Sequence, residues 1–103
     1  MLDLQFEAEN NFDTKPNRRL NALLNIIRSI PEKYSEGWYN GRKYGISKAV
    51  YNDGKSYKIF AEELGGNDFI SLNYYVTSQE GILKPCEMEA AKVTHFLRHV
   101  KIE

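Results

Sequence analysis

The chain has one cysteine, three prolines and no net charge. The lone Cys86 excludes an internal disulfide framework and fits a reducing compartment. The prolines fall at expected element boundaries: Pro16 in a first helical turn, Pro31 at a helix stop, Pro85 before the last helix. No apolar run approaches the ~18 residues a membrane-crossing helix needs. The acidic start lacks a basic n-region followed by an apolar h-region, so no signal peptide is expected and the cytoplasm is the expected compartment. The 14 basic and 14 acidic residues cancel, but unevenly. Residues 1–13 carry Asp3, Glu7, Glu9 and Asp13 and no base, which leaves 14 bases against 10 acids in residues 14–103. That body is mildly basic, well short of a strong nucleic-acid footprint.

What is present is a globular composition. With 103 residues, 42% of them hydrophobic, the chain is long enough for one core. The expected organisation is an acidic tail or edge strand over residues 1–13, where Leu2, Leu4 and Phe6 alternate with polar residues, and a single domain over residues 14–103. Seven tyrosines and five phenylalanines suit a β-rich surface or a binding face that uses flat rings.

Periodicity sets the elements. Leu20, Leu23, Leu24, Ile27 and Ile30 fall on one face of a helix over 14–31, capped by Asp13 or Thr14. A connection from Glu32 leads to a short strand around Gly37–Asn40, and Asn40-Gly41 marks a tight turn. Strands follow at Lys43–Tyr51, Ser56–Leu64 and Asp68–Thr77, with a short segment at Ile82–Lys84. They are separated by Asn52-Asp53-Gly54-Lys55, Gly65-Gly66-Asn67 and Ser78-Gln79-Glu80-Gly81. A last helix is expected from Cys86 to Val100, with Cys86, Ala90, Val93, Phe96, Leu97 and Val100 on its apolar face. The predicted fold is α+β: an antiparallel meander of four or five strands with an N-terminal and a C-terminal helix packed on one face.

Strand parity divides the sheet into two faces. Tyr44, Ile46, Val50, Tyr57, Ile59, Ala61, Ile70, Leu72, Tyr74 and Val76 form the apolar set, assigned to the helices. The other set mixes rings, amides, hydroxyls and lysines. Lys43, Tyr51, Lys58, Phe60, Asn73 and Tyr75 on it have the chemistry of single-strand binding: rings stack bases and lysines track phosphates. The same face could instead serve a homodimer or another protein, or be ordinary sheet chemistry. Glu62 and Glu63 weigh against a phosphate path at one end of the third strand.

Candidate catalytic groups are few. A thiol at a helix N-terminus is activated by the dipole, which makes Cys86 the alternative, enzymatic candidate. The helical pattern turns it toward the core, and no second cysteine can resolve a sulfenate. His95 and His99 stand one helical turn apart, but no third ligand is in view, so no metal and no cofactor is expected. Gly65-Gly66-Asn67 precedes no helix and is a turn rather than a phosphate loop.

The block KSYKIFAEELGGNDFISLNYY, followed by LKPCEM and an apolar helix, resembles a family of small bacterial proteins often labelled peptide methionine sulfoxide reductase. That resemblance covers roughly residues 24–100 and implies reduction of methionine sulfoxide by a cysteine nucleophile, here Cys86. Neither the Gly-Cys-Phe-Trp stretch of one reductase class nor the paired cysteines of the other is present. The meander, the turn at Gly81, Leu83-Lys84-Pro85 and the closing helix are similar in arrangement to single-strand-binding transcriptional coactivator and Whirly-type domains. That second resemblance implies single-strand binding on a curved sheet by an oligomer. The leading expectation is a small cytoplasmic binding module for single-stranded nucleic acid.

Overall fold

The computed structural model describes the backbone of residues 15–103 and the side chains from Ala22 onward. The expected tail or edge strand over 1–13, the caps Asp13 and Thr14 and the placement of Leu20 lie outside these descriptions. The elements are α1 (Lys15–Ser29), β1 (Lys33–Tyr39), β2 (Arg42–Tyr51), β3 (Ser56–Glu63), β4 (Phe69–Val76), β5 (Gly81–Pro85), α2 (Ala90–His99) and β6 (Lys101–Ile102). All strands pair antiparallel in one sheet of order β5-β4-β3-β2-β1-β6. Among the described residues the sheet has six strands, not four or five. The sixth comes from the chain's end, which returns along α2 and pairs Ile102 with Gly37 and Lys101 with Trp38.

The turns follow from their residues. Asn40 and Gly41 both have positive φ (53° and 75°), as a two-residue turn matched to strand twist requires. Asn52, Asp53 and Gly54 are also left-handed and close the β2–β3 connection. Alternation in β3 is strict: Tyr57, Ile59 and Ala61 are buried while Lys58, Phe60 and Glu62 are exposed.

The core joins both helices to one face of the sheet. Ile27 of α1, Ile30 just beyond it, and Val93, Phe96 and Leu97 of α2 are buried in one cluster with Tyr44, Ile46, Ile59, Ala61, Ile70, Leu72 and Tyr74. Phe96 meets the edges of Tyr39 and Tyr44 at centroid distances of 4.9 and 5.5 Å. One charged residue is buried on this face among the described residues. Lys48 follows Ile46 in the inward parity, is 6% exposed, and donates from Nζ to the carbonyls of Ile27, Arg28 and Ile30 at 2.7, 3.3 and 2.6 Å. The last carbonyls of a helix lack intrahelical partners, and an ammonium has three donors to offer. Lys48 therefore caps α1 from the sheet. Burial pushes its amine below the usual lysine value, partly opposed by Glu32.

The last helix begins four residues later than expected. β5 continues through Pro85, and the Cys86 amide donates to the Ser71 carbonyl at 2.9 Å, extending the ladder. Glu87 then has φ of 62°, a left-handed conformation that no helical residue adopts, and Glu89 stands as N-cap. Strand pairing with β4 outcompetes the local helical pattern, because propensity is a weak preference beside the ladder to β4 and the packing of Leu83 against the core. Of the expected apolar face, Val93, Phe96 and Leu97 are buried, but Ala90 is exposed and Cys86 lies outside the helix.

Candidate nucleic-acid interface

The sheet face opposite the helices is built as a grid by the strand register. One row across it runs Tyr34–Ser47–Phe60–Ser71. A second runs Ala49–Lys58–Asn73–Lys84, and a third Tyr51–Ser56–Tyr75–Ile82. Toward the other end lie Glu36–Gly45–Glu62–Phe69 and then Lys101–Trp38–Lys43.

Six large ring side chains are exposed among the described residues: Tyr34, Trp38, Tyr51, Phe60, Phe69 and Tyr75. All six fall on this face. Exposed rings scattered singly are ordinary, but this many gathered on one face is a patch. Phe60 and Phe69 sit 6.1 Å apart between ring centres, so part of the patch is self-packed.

The charges on the face are segregated. At the β6 end, Lys43 Nζ lies 3.2 Å from Glu36 and 3.3 Å from Glu103, and 5.7 Å from the centre of the Trp38 ring. Trp38 Nε1 donates to the same Glu103 carboxylate at 2.9 Å. Hydrogen bonds to Glu36 and Glu103 hold the Lys43 amine above its usual value, and those from Lys43 and Tyr34 hold Glu36 below its own. Lys43 is thus neutralised in place. Lys58 and Lys84, by contrast, form no ion pair among the described residues; nor does Lys33, which pairs with Lys48 in the strand register and so falls in the helix-side parity at the start of β1.

Between these regions is an open hollow of about 490 Å³, lined by Lys33, Tyr34, Ser47, Lys48, Ala49, Lys58 and Phe60. It has rings on two sides, small side chains on its floor and no carboxylate in its lining. Tyr34 leans away from it across Gly45, and its hydroxyl donates to Glu36 Oε2 at 3.0 Å.

The six residues named from sequence all lie on this face. Tyr51, Lys58, Phe60, Asn73 and Tyr75 fall in three neighbouring rows, and Lys43 stands apart at the acidic end. Sequence reasoning missed Tyr34, Trp38 and Lys84. The signal for the first two was the alternation Tyr34-Glu36-Trp38 against Ser35-Gly37-Tyr39 over a seven-residue β1, where a connection and a short strand had been expected. Lys84 alternates in the same way with Leu83 and Pro85.

Cys86 needs correcting. It is neither in a helix nor directed at the core. It is half-buried at the end of β5, level with Ser71, and Asn73 Nδ2 donates to its sulfur at 3.5 Å on the ring-bearing face. With no helix N-terminus beside it, the dipole argument for an activated thiolate no longer applies.

His95 and His99 stack at 4.1 Å between ring centres on α2. His99 Nδ1 bonds the His95 carbonyl and His95 Nδ1 bonds the Tyr39 hydroxyl. Stacked rings aim their in-plane lone pairs side by side rather than at a common point. Among the described residues no group of three His, Cys, Asp or Glu side chains is placed to hold a metal. No described helix is long and apolar enough to cross a membrane. No family model, curated protein or solved structure matches the chain.

Proposed function

We propose that this protein binds single-stranded nucleic acid on the open face of its sheet. The observation that carries the reading is the gathering on that face of all six large rings exposed among the described residues, beside Lys58 and Lys84, which form no ion pair among those residues. Rings stack any base, at roughly 1–3 kcal/mol each, and lysines supply the phosphate attraction. A duplex would present only phosphates to such a surface, because its bases are already stacked on one another. Tyr34, Tyr51, Phe60 and Tyr75 are the stacking candidates, and Lys33, Lys58 and Lys84 the phosphate contacts. Asn73, between Lys58 and Lys84, offers an amide to a base edge or sugar. Lys43, neutralised by Glu36 and Glu103, contributes little under this reading.

Titration of the full chain with a labelled single-stranded oligonucleotide at low and high salt tests it. Saturable binding that weakens with salt is expected, with a duplex of the same sequence bound more weakly. Absence of binding at low salt ends the reading.

A further inference from the structure

Resting on that reading, we propose that the hollow between Tyr34 and Phe60 is a pocket for one unpaired nucleobase, with Lys33 and Lys58 holding the phosphates that flank it. Tyr34 pairs across the sheet with Ser47, and Ser47 with Phe60. The backbones of the two residues are therefore two strand spacings apart, about 10 Å. Ring-to-ring stacking occurs at centroid distances of about 4.5–7 Å, so a span of this size leaves room for one flat ring beside Phe60 and not a second.

The floor suits a flat guest. It consists of Ser47 and Ala49, whose short side chains leave the sheet surface open, and the hydroxyl of Ser47 can meet any base edge as donor or acceptor. Lys48 contributes no charge here, since its ammonium is committed to the carbonyls of α1 on the opposite face. At about 490 Å³ the hollow falls within the range of small-ligand sites, roughly 300–1,000 Å³, larger than a lone base requires and with room for its sugar and phosphate.

One wall is held in place before any ligand arrives. Tyr34 lies over Gly45, where a Cβ would come within 2.5 Å of the hydroxyl and 3.1 Å of the ring. Glycine at this point lets the ring settle back against the sheet, and Glu36 holds it by the hydroxyl at 3.0 Å. A wall held open lowers the ordering cost of binding. The chemistry recognised is an unpaired base carrying phosphate, and either a strand or a free nucleotide presents it.

The test uses the full chain at low salt with three probes: a short oligothymidylate, an abasic deoxyribose-phosphate oligomer of the same length, and thymidine monophosphate. The oligothymidylate is expected to bind at least about tenfold tighter than the abasic oligomer, one stacked base's worth. Tyr34→Leu and Phe60→Leu should each remove most of that difference and leave abasic binding nearly unchanged. Gly45→Ala should do the same by displacing Tyr34, and the obstructing atoms are the tip of an exposed side chain, so the sheet can accommodate the methyl group. Equal affinity for the two oligomers overturns the pocket while strand binding stands. A mononucleotide bound as tightly as the strand keeps the pocket and removes the strand reading. If none of the three probes binds, pocket and strand reading fall together.

Discussion

Lys48 donates its ammonium to the carbonyl of Ile27 at 2.7 Å, joining the middle of the sheet to the end of α1. With its further bonds to Arg28 and Ile30, this side chain serves carbonyls at and just past the last turn of the helix, of which that of Ile27 also accepts from the Ile30 amide. Lys48→Met keeps the volume and removes the donors. It is expected to destabilise the fold by about 1–3 kcal/mol, the cost of leaving buried acceptors unsatisfied. A lowered urea midpoint with an unchanged m-value checks it; an unchanged midpoint means water replaces the ammonium without loss.

The acid limb of stability is set by paired carboxylates. Asp68 accepts from Lys92 and Tyr44, both at 2.7 Å. Burial pushes its carboxyl up, but the two donors outweigh burial and hold it below the usual range. Arg42 does the same for Glu63, and Lys43 with Tyr34 for Glu36. Each folded-state pKa lies below its unfolded value, so the stability these groups add is complete above the ordinary carboxylate range near pH ~4 and is lost as pH falls through the lower folded values. Denaturant midpoints should therefore drop below pH ~4, and Asp68→Asn should make that drop shallower. A midpoint that stays flat to pH ~3 would contradict the assignment.

Lysines on the same face should separate by their partners. Each phosphate contact to a single strand contributes about −0.7 to the slope of log affinity against log salt. Lys58→Ala and Lys84→Ala should each reduce the slope by roughly that amount. Lys43→Ala should change it less, because its charge is already met by Glu36 and Glu103. Equal effects from all three would show that the ion pairs open on binding.

Cys86 should react with a thiol reagent without unfolding. Its sulfur is half-buried on the open face, whereas a core thiol would wait for global opening. The labelling rate is expected to be nearly independent of denaturant well below the unfolding midpoint. Asn73→Ala, which removes the amide 3.5 Å from the sulfur, should raise it. A rate that tracks the unfolded fraction would return Cys86 to the interior.

Much of the fold was legible because its signals are local. The period-two alternation of Tyr57 to Glu62 and the turns at Asn40-Gly41 and Asn52-Asp53-Gly54 depend on residues adjacent in sequence, and β2, β3 and β4 lie where those patterns put them, whereas β1 starts earlier and β6 was not expected. Parity then assigned Tyr51, Lys58, Phe60, Asn73 and Tyr75 to one face correctly. Lys48 was assigned to neither face, since hydropathy gives no reason to expect a lysine inside and its partners are carbonyls about twenty residues away on a helix end. The start of α2 failed for the opposite reason. The 86–89 segment fits a helical apolar pattern, yet its amide is used by Ser71 across the sheet.

By itself the sequence determined the three central strands, the turns between them, the presence of the two helices and the unequal chemistry of the two faces, because period, turn residues and propensity act over a few neighbours. Tertiary structure alone decided which lysines are met by carboxylates, which side Cys86 takes, and that Tyr34 and Phe60 flank Ser47 on neighbouring strands. Those outcomes depend on partners remote in the chain: Glu103 beside Lys43, Ser71 beside Cys86, and β1 laid against β2. Pairing energies of that kind are settled by register and burial, which no local window contains.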